Sequence, residues 1–256
     1  MANRMCKSNL PITYTVNSAL TSPVFSQAFA KGCGGELSSD PLMLMDGDVA
    51  MFGHPELMPL LSEAQRQGRN WYYGDKAYFG RETYYRITKN AYMHNAHGEP
   101  DFNRWKSLKL SIQNWKNGSD ILICPQSNMF FQIKGTSQKQ WIDETVQKIR
   151  QFSDRKIRFQ YKSSNISAEK AFRHSLSNVW AVVVHSSMAG VQAVVQGVPC
   201  FATNVESTAA RFGSTDLSLI ENPVKPDNRE NMAAVLAANQ WTLPEIRSGL
   251  AWERLQ

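Results

Sequence analysis

Short apolar runs alternate with stretches of helical periodicity along most of the chain. The apolar run Trp180–Val184 is followed by a predicted helix, Met188–Gln196, and then by a second short strand at Cys200–Thr203. Gly197 and Pro199 separate the helix from that strand, because glycine favours a helix C-terminus and proline prevents the helix from resuming. The same order of strand and helix recurs from residue 12 onward, which predicts α/β lobes with parallel sheets.

Polar residues occupy the carboxyl end of the strand at 180–184. They are His185, Ser186 and Ser187, and the helix that follows contains Gly190. Open α/β sheets bind ligands at this edge, and the unpaired N–H groups of a helix start attract phosphate. Two interpretations stay open on these residues alone: a phosphate site, or a serine-capped helix in which Gly190 serves only helix–sheet packing.

A second informative stretch, residues 75–92, mixes basic and aromatic side chains. Its cations include Lys76, Arg81, Arg86 and Lys89, set among several tyrosines. Such a mixture suits nucleic acid, because cations neutralise phosphates while rings stack on bases, and it also suits a sugar. The plain alternative is an amphipathic hairpin with packed tyrosines and solvated arginines.

Composition agrees with a globular protein of two lobes. The chain has 256 residues, of which 42% are hydrophobic and 11% aromatic. It shows neither a membrane-length apolar run nor the apolar segment of a signal peptide, so we expect it in the cytoplasm, or in the host cytoplasm if it is viral. A net charge of +6 favours a polyanionic partner such as nucleic acid or an anionic membrane surface.

The cysteines and histidines do not predict a metal site. Cys6, Cys33, Cys124 and Cys200 lack metal-ligand spacing and are expected to be reduced, buried thiols. The pair of histidines in the loop near residues 94–97 has no thiolate or third fixed ligand beside it, so we predict no bound metal.

The segment from His185 to Pro199 resembles the donor-binding segment of GT-B glycosyltransferases, and also the related fold of the UDP-sugar 2-epimerases. The similarity covers about residues 120–215. It implies two Rossmann-like lobes, at 1–104 and 105–240, and a C-terminal helix, 241–256, that packs back on the first lobe. It also implies a nucleotide-sugar co-substrate, with a UDP-sugar first, no tightly bound cofactor and no metal.

The resemblance assigns the donor to one set of residues. His185, Ser186 and Ser187 belong to the donor-binding turn, where the serines and the helix start would stabilise the diphosphate and Gly190 would allow close approach. Gln126 and Lys162, each near a strand's carboxyl end, would add contacts. Gln192 stands where many such enzymes carry a glutamate that binds the ribose hydroxyls. An amide can accept one hydroxyl and donate to another, so the role is retained here as a prediction.

Transfer to a hydroxyl also needs a general base and an acceptor. Asp75, at the end of a predicted strand, is our first choice of base, followed by Asp48 and His97. The preferred acceptor is a hydroxymethylated pyrimidine in double-stranded DNA, because a small basic chain with a base-aromatic hairpin resembles the bacteriophage enzymes that glycosylate such bases. The alternatives are a cell-surface polysaccharide or lipid-linked sugar, and a non-catalytic nucleic-acid-binding module. The oligomeric state is open.

Overall fold

The computed structural model describes residues 10–94, 98–133, 135–161 and 168–256. Within these ranges the strands are β1 (Ile12–Tyr14), β2 (Glu36–Ser38), β3 (Val49–Phe52), β4 (Trp71–Lys76), β5 (Tyr84–Lys89), β6 (Asp120–Cys124), β7 (Ile157–Phe159), β8 (Val179–Val184), β9 (Cys200–Ala202) and β10 (Gln240–Thr242). The helices are α1 (Ser22–Cys33), α2 (Met58–Arg66), α3 (Phe102–Ser107), α4 (Asn128–Ile133), α5 (Gln138–Arg150), α6 (Ala168–Ser175), α7 (Ala189–Val195), α8 (Thr208–Arg211), α9 (Arg229–Ala238), α10 (Leu243–Arg247) and α11 (Leu250–Leu255).

Contacts divide these elements into two units. Unit 1 contains β1 to β5 and, from the chain end, Asn239–Gln256; unit 2 contains the described residues between Met93 and Ala238. The predicted boundary at 104/105 falls inside α3, which packs on α9 in unit 2. Within the described ranges, no helix is both long and apolar enough to cross a membrane.

Unit 1 has a mixed sheet, in the order β10-β5-β4-β3-β1-β2. Strands β1 to β4 run parallel, as the βα pattern predicts, but β5 is antiparallel to β4 and β10 is antiparallel to β5. The prediction of a purely parallel sheet is therefore wrong for this unit. Its physical cause is the short β4–β5 connection, which has no crossover helix and can only reverse the chain.

The C-terminal residues belong to unit 1 through both sheet and helix contacts. Thr242 caps α10 with a capping box, in which its side chain and that of Glu245 bond each other's backbone N–H groups. The α1 residue Gly32 lies so close to α10 that an added Cβ would stand 1.9 Å from the carbonyl oxygen of Ile246. Only glycine therefore permits this approach of α1 to α10.

Unit 2 has a parallel sheet in the order β7-β6-β8-β9, so the prediction of a doubly wound parallel arrangement is confirmed here. The two central strands are fully buried, as continuous apolar runs predict. The core on one face combines strand residues with α5, whose Trp141 and Ile149 are buried. This packing fixes the strand ends that carry the polar residues.

The sequence pattern favours a helix from Asp101 to Trp115, but α3 ends at Ser107. The chain beyond it bonds to the C-terminal end of α7: the Gln113 N–H donates to the Val195 carbonyl at 2.9 Å, and the Lys116 N–H donates to the Gly197 carbonyl at 2.7 Å. These bonds satisfy carbonyls that a helix end leaves unpaired. Tertiary hydrogen bonds thus override the local helical pattern.

Candidate functional site

Three parallel strands bring polar residues to one edge of the unit 2 sheet. Gln126 follows β6, His185 and Ser186 follow β8, and Thr203 follows β9. The Gln126 side-chain oxygen Oε1 accepts the Ser186 backbone N–H at 3.2 Å and the Ser186 hydroxyl at 2.9 Å. Gln126 thus lies against the turn after β8, and its predicted contact with a donor stays a prediction.

The hydrogen bonds of Ser186 determine the tautomer of His185. Because a backbone N–H can only donate, the Gln126 atom facing Ser186 is the carbonyl oxygen, and the Ser186 hydroxyl must donate its one proton to that oxygen. His185 Nδ1 lies 3.1 Å from the same hydroxyl oxygen. Nδ1 must then be the donor, so the neutral ring carries its lone pair on Nε2.

An aromatic frame holds the His185 ring. The rings of Phe130 and Phe131 each have centroids 5.4 Å from it, and Trp141 lies at 6.2 Å, all in edge-on geometry. The Trp141 indole N–H donates to the Thr203 hydroxyl at 2.9 Å. The sequence pattern favours a helix from Thr136 to Phe152 with Trp141 on its apolar face and no helix at α4, so it does not predict these ring contacts with His185.

The two serines at the start of α7 have different surroundings. Ser186 is only 2% exposed and is used inside the turn, whereas Ser187 is half-buried and its hydroxyl accepts the Ala189 N–H at 3.2 Å. A Cβ added to Gly190 would lie 2.6 Å from the Cys200 sulfur and 2.7 Å from the Ala209 Cβ. Gly190 is thus explained by packing of α7 on β9 and α8. Gln192 lies half-buried on the same helix.

Asp75, the first choice of general base, is the partner of a buried arginine. Its Oδ2 accepts from Arg86 Nη2 at 2.6 Å, and its Oδ1 accepts the Lys76 N–H at 2.6 Å. The Arg86 side chain is 3% exposed. Burial acts to lower the pKa of its guanidinium, but the charge of Asp75 and the neighbouring Tyr78 and Tyr73 raise that pKa overall. Both carboxylate oxygens therefore have structural partners.

The other two base candidates fare differently. Asp48 precedes β3 and so lies at the amino edge of the parallel strands, opposite the edge where Asp75 lies, and its carboxylate accepts from the Asn70 amide at 3.2 Å. That position is inconsistent with a ligand site at the carboxyl edge. His54, which sequence reasoning passed over, follows β3 at the carboxyl edge with a side chain 27% exposed. His97, like the donor residue Lys162, lies outside the described residues.

The base-aromatic stretch forms the β4–β5 hairpin, the plain alternative weighed above. Its tyrosines pack as that alternative predicts, yet Arg86 is buried and lies 5.7 Å from the Tyr78 ring centre, so it does not present a charge to DNA. Lys76 and Lys89 are half-buried and lie over the rings of Tyr85 and Tyr72, respectively, and Arg81 is half-exposed. Three of its four cations, Lys76, Arg86 and Lys89, are therefore packed against rings or buried within unit 1.

No three His, Cys, Asp or Glu side chains within the described ranges come together as metal ligands. Cys33, Cys124 and Cys200 are free and buried, as predicted. Burial raises the pKa of the Cys124 thiol to about 12 and also raises that of Cys200. These thiols are components of the core and not nucleophiles at neutral pH.

The described residues define the class of protein: an α/β fold with one parallel and one mostly parallel sheet, in which polar residues of unit 2 gather at carboxyl strand ends. No family model matches the chain, and no curated protein sequence matches it significantly. Two solved structures from Thermosulfurimonas dismutans share the fold. They are the KpsC beta Kdo 2,4 transferase, at TM-score 0.51 and 9% identity over 89% of this chain and 90% of that one, and the KpsC beta Kdo 2,7 transferase, at TM-score 0.50 and 12% identity over 95% and 99%. At these identities the likeness concerns the fold.

Proposed function

We propose that the protein is a glycosyltransferase that moves a sugar from a nucleotide-activated donor to a carbohydrate hydroxyl. The observation that carries the proposal is the hydrogen-bonded edge formed by Gln126, Ser186 and His185, held by aromatic rings at the carboxyl ends of parallel strands. Open α/β sheets bind nucleotides at such edges. The similarity to transferases whose names specify Kdo supports a sugar transfer.

The donor is proposed to bind at this edge of unit 2. His185, Ser187 and Thr203 are half-buried there and retain surface for a ligand, whereas Ser186 is enclosed. A leaving nucleotide develops negative charge, and hydroxyl, imidazole and backbone N–H donors stabilise such charge. Gln192 is retained as a ribose contact. A UDP-sugar stays the first donor to test, within a panel of nucleotide-activated sugars.

A carbohydrate acceptor is preferred to a DNA base. The buried Arg86 and the ring-bound Lys76 and Lys89 weaken the argument for phosphate contacts along the hairpin. The similar solved structures are named as transferases of Kdo, a sugar. A surface polysaccharide or a lipid-linked sugar is therefore proposed as the acceptor class, and hydroxymethylated DNA becomes an outcome of the test.

Gln126→Glu tests the donor site with little change of shape. The carboxylate still accepts both Ser186 hydrogen bonds, so the unfolding temperature should be retained, but its negative charge should repel a donor diphosphate. Donor affinity is measured by calorimetry against a panel of nucleotide-activated sugars that includes UDP-sugars. We expect a loss of about tenfold or more in Gln126→Glu. The matched control is Gln151→Glu, an exposed glutamine at the far end of α5.

Equal donor affinity in Gln126→Glu and the control would contradict the proposed donor site. The acceptor is tested by nucleotide release in the presence of oligosaccharides, lipid-linked sugars or duplex DNA containing hydroxymethylated pyrimidines. Nucleotide release that occurs only with the modified DNA would favour the DNA base as the acceptor. Salt-sensitive DNA binding with no donor affinity would instead indicate the non-catalytic module.

A further inference from the structure

The phenol of Tyr73 reaches the carboxyl edge of the unit 1 sheet without a hydrogen-bond partner among the residues that the structure describes. Tyr73 belongs to β4, and its ring packs edge-on against that of Tyr92 at a centroid separation of 5.2 Å. Its hydroxyl lies over Gly53, the residue after β3, where an added Cβ would stand 2.1 Å from the phenol oxygen. Only glycine therefore allows the phenol to lie at this strand end.

The surroundings of this hydroxyl make its lack of a partner informative. The Tyr73 side chain is half-buried, and burial, together with the charge of Asp75, raises the pKa of its phenol, so the group stays protonated at neutral pH. A polar group that loses water without gaining a partner costs free energy. The unpaired Thr13 hydroxyl is fully enclosed, whereas the Tyr73 oxygen is not. A ligand can therefore reach Tyr73 and complete its hydrogen bonds.

Asp75 adds an acceptor beside this phenol. It follows Tyr73 by two residues, so the two side chains lie on the same face of β4, and the Asp75 side chain is 37% exposed. Arg86 Nη2 and the Lys76 N–H each bond to one carboxylate oxygen. Each oxygen has two acceptor positions, so both can still accept a hydrogen bond from a ligand.

His54 adds a ring nitrogen at the end of the neighbouring strand. Its side chain is 27% exposed, and its Nδ1 accepts the Glu56 N–H at 3.4 Å, which leaves Nε2 for a ligand. Phenol, imidazole and carboxylate groups together donate and accept, which matches the hydroxyls of a saccharide. Arg86, on the same face, is buried and paired with Asp75, so this group of side chains offers no free positive charge to a phosphate.

We propose that Tyr73 and Asp75 bind hydroxyls of an uncharged sugar unit in the acceptor. The inference rests on the proposed function, because it assigns the acceptor of that transfer to unit 1. Sugar hydroxyls accept the phenol proton and donate to the carboxylate, so they satisfy both groups at once. An acidic sugar would bring a second carboxylate toward Asp75, and the repulsion would weaken its binding.

Tyr73→Phe tests the proposal, because it removes the hydroxyl and keeps the ring. The matched control is Tyr72→Phe, at the adjacent position on the opposite face of β4, where the phenol bonds to Gln256. Calorimetry uses maltotetraose, cellotetraose and chitotetraose as neutral probes and tetragalacturonate as the acidic probe. We expect at least one neutral probe to bind the native chain and its affinity to fall about three- to tenfold in Tyr73→Phe, the effect of one lost hydrogen bond. Tyr72→Phe should keep the native affinity.

Thermal melting of the same variants separates ligand binding from a structural role. Tyr73→Phe should melt no lower than the native chain, since its hydroxyl makes no bond within the described residues, whereas Tyr72→Phe should melt lower. A fall in Tyr73→Phe as large as that in Tyr72→Phe would overturn the proposal.

Three binding results would also overturn it. They are native affinity in Tyr73→Phe, binding of none of the neutral probes, and tighter binding of tetragalacturonate than of every neutral probe. Donor affinity is measured separately with nucleotide-activated sugars and should be unchanged in Tyr73→Phe. A chain that binds a neutral probe through Tyr73 but binds no donor would contradict the proposed function alone, so the two failures are distinguishable.

Discussion

Replacing Asp75 with asparagine separates a structural role from a catalytic role. In the folded chain Arg86 is 3% exposed, and its Nη2 lies 2.6 Å from Asp75 Oδ2. The amide removes the negative charge but keeps the size and shape of the side chain. The buried guanidinium then loses its counter-charge, and only water that enters the sheet can solvate it.

The expected loss of stability follows from the exposure of the two partners. Removing one member of a fully buried ion pair costs about 3–5 kcal/mol. Asp75 is 37% exposed, so solvent weakens the pair, and we expect the free energy of unfolding to fall by about 2–3 kcal/mol. The pair of Lys139 and Asp143 is 85% and 60% exposed, so Asp143→Asn should cost less than about 0.5 kcal/mol.

Urea unfolding at neutral pH measures both variants, and transferase turnover is measured on the same preparations. Adding Arg86→Met to Asp75→Asn removes the unpaired buried cation and should recover about 1–2 kcal/mol of the loss. Native stability in Asp75→Asn, combined with a turnover reduced by orders of magnitude, would refute the structural role and identify Asp75 as the general base. A destabilised protein with normal turnover would place the base elsewhere, with His54 at the same edge as the next residue to replace.

Three further changes test the packing and the site of unit 2. Gln126→Ala should lower the free energy of unfolding by about 1–3 kcal/mol, because it leaves the buried Ser186 donors unpaired. Urea unfolding measures this loss. A loss of the same size in Gln126→Glu would contradict the explanation. Gly190→Ala should lower the free energy of unfolding by about 1–3 kcal/mol, because the added methyl group overpacks against the Cys200 sulfur. Adding Cys200→Ala should recover part of that loss. An unchanged melting temperature in Gly190→Ala would contradict the close contact. In a Cys6→Ser background, Cys124 should resist iodoacetamide at pH 8 until the chain is unfolded in urea, as mass spectrometry of the peptides would show.

The raised pKa of the Cys124 thiol predicts how the stability of the native protein changes at alkaline pH. Cys124 has an ordinary thiol pKa of 9.0 when unfolded and about 12 when folded, so the unfolded chain releases a proton that the folded chain keeps. The stabilisation is complete below pH 9 and is lost as the pH rises toward 12. Unfolding free energies of the native and Cys124→Ala proteins should therefore converge over this interval, and parallel curves would contradict the burial of the thiol.

The strands and helices of this fold were predictable wherever their signals are local. The apolar run of β8 and the helix punctuation at Gly197 depend on neighbouring residues, and so does the appearance of His185 at a strand end. Elements formed by distant pairing were missed. Strand β10 joins the unit 1 sheet through contacts such as that between the Phe79 N–H and the Gln240 side chain, 161 positions apart. No periodicity reports such a pairing.

Contacts with distant residues also decide which of the predicted site residues retain surface for a ligand. The sequence motif predicts ligand contacts for Ser186 and Gly190 as it does for His185 and Ser187. In the structure both are buried: Ser186 bonds to Gln126, and Gly190 packs against Cys200. The bond from Ser186 to Gln126 holds His185 in a single tautomer, and the close packing of Gly190 on Cys200 fixes the start of the helix. The serine and glycine that suggest a ligand in the sequence thus act by positioning, and the half-buried His185 is the residue through which the proposed donor site should be probed first.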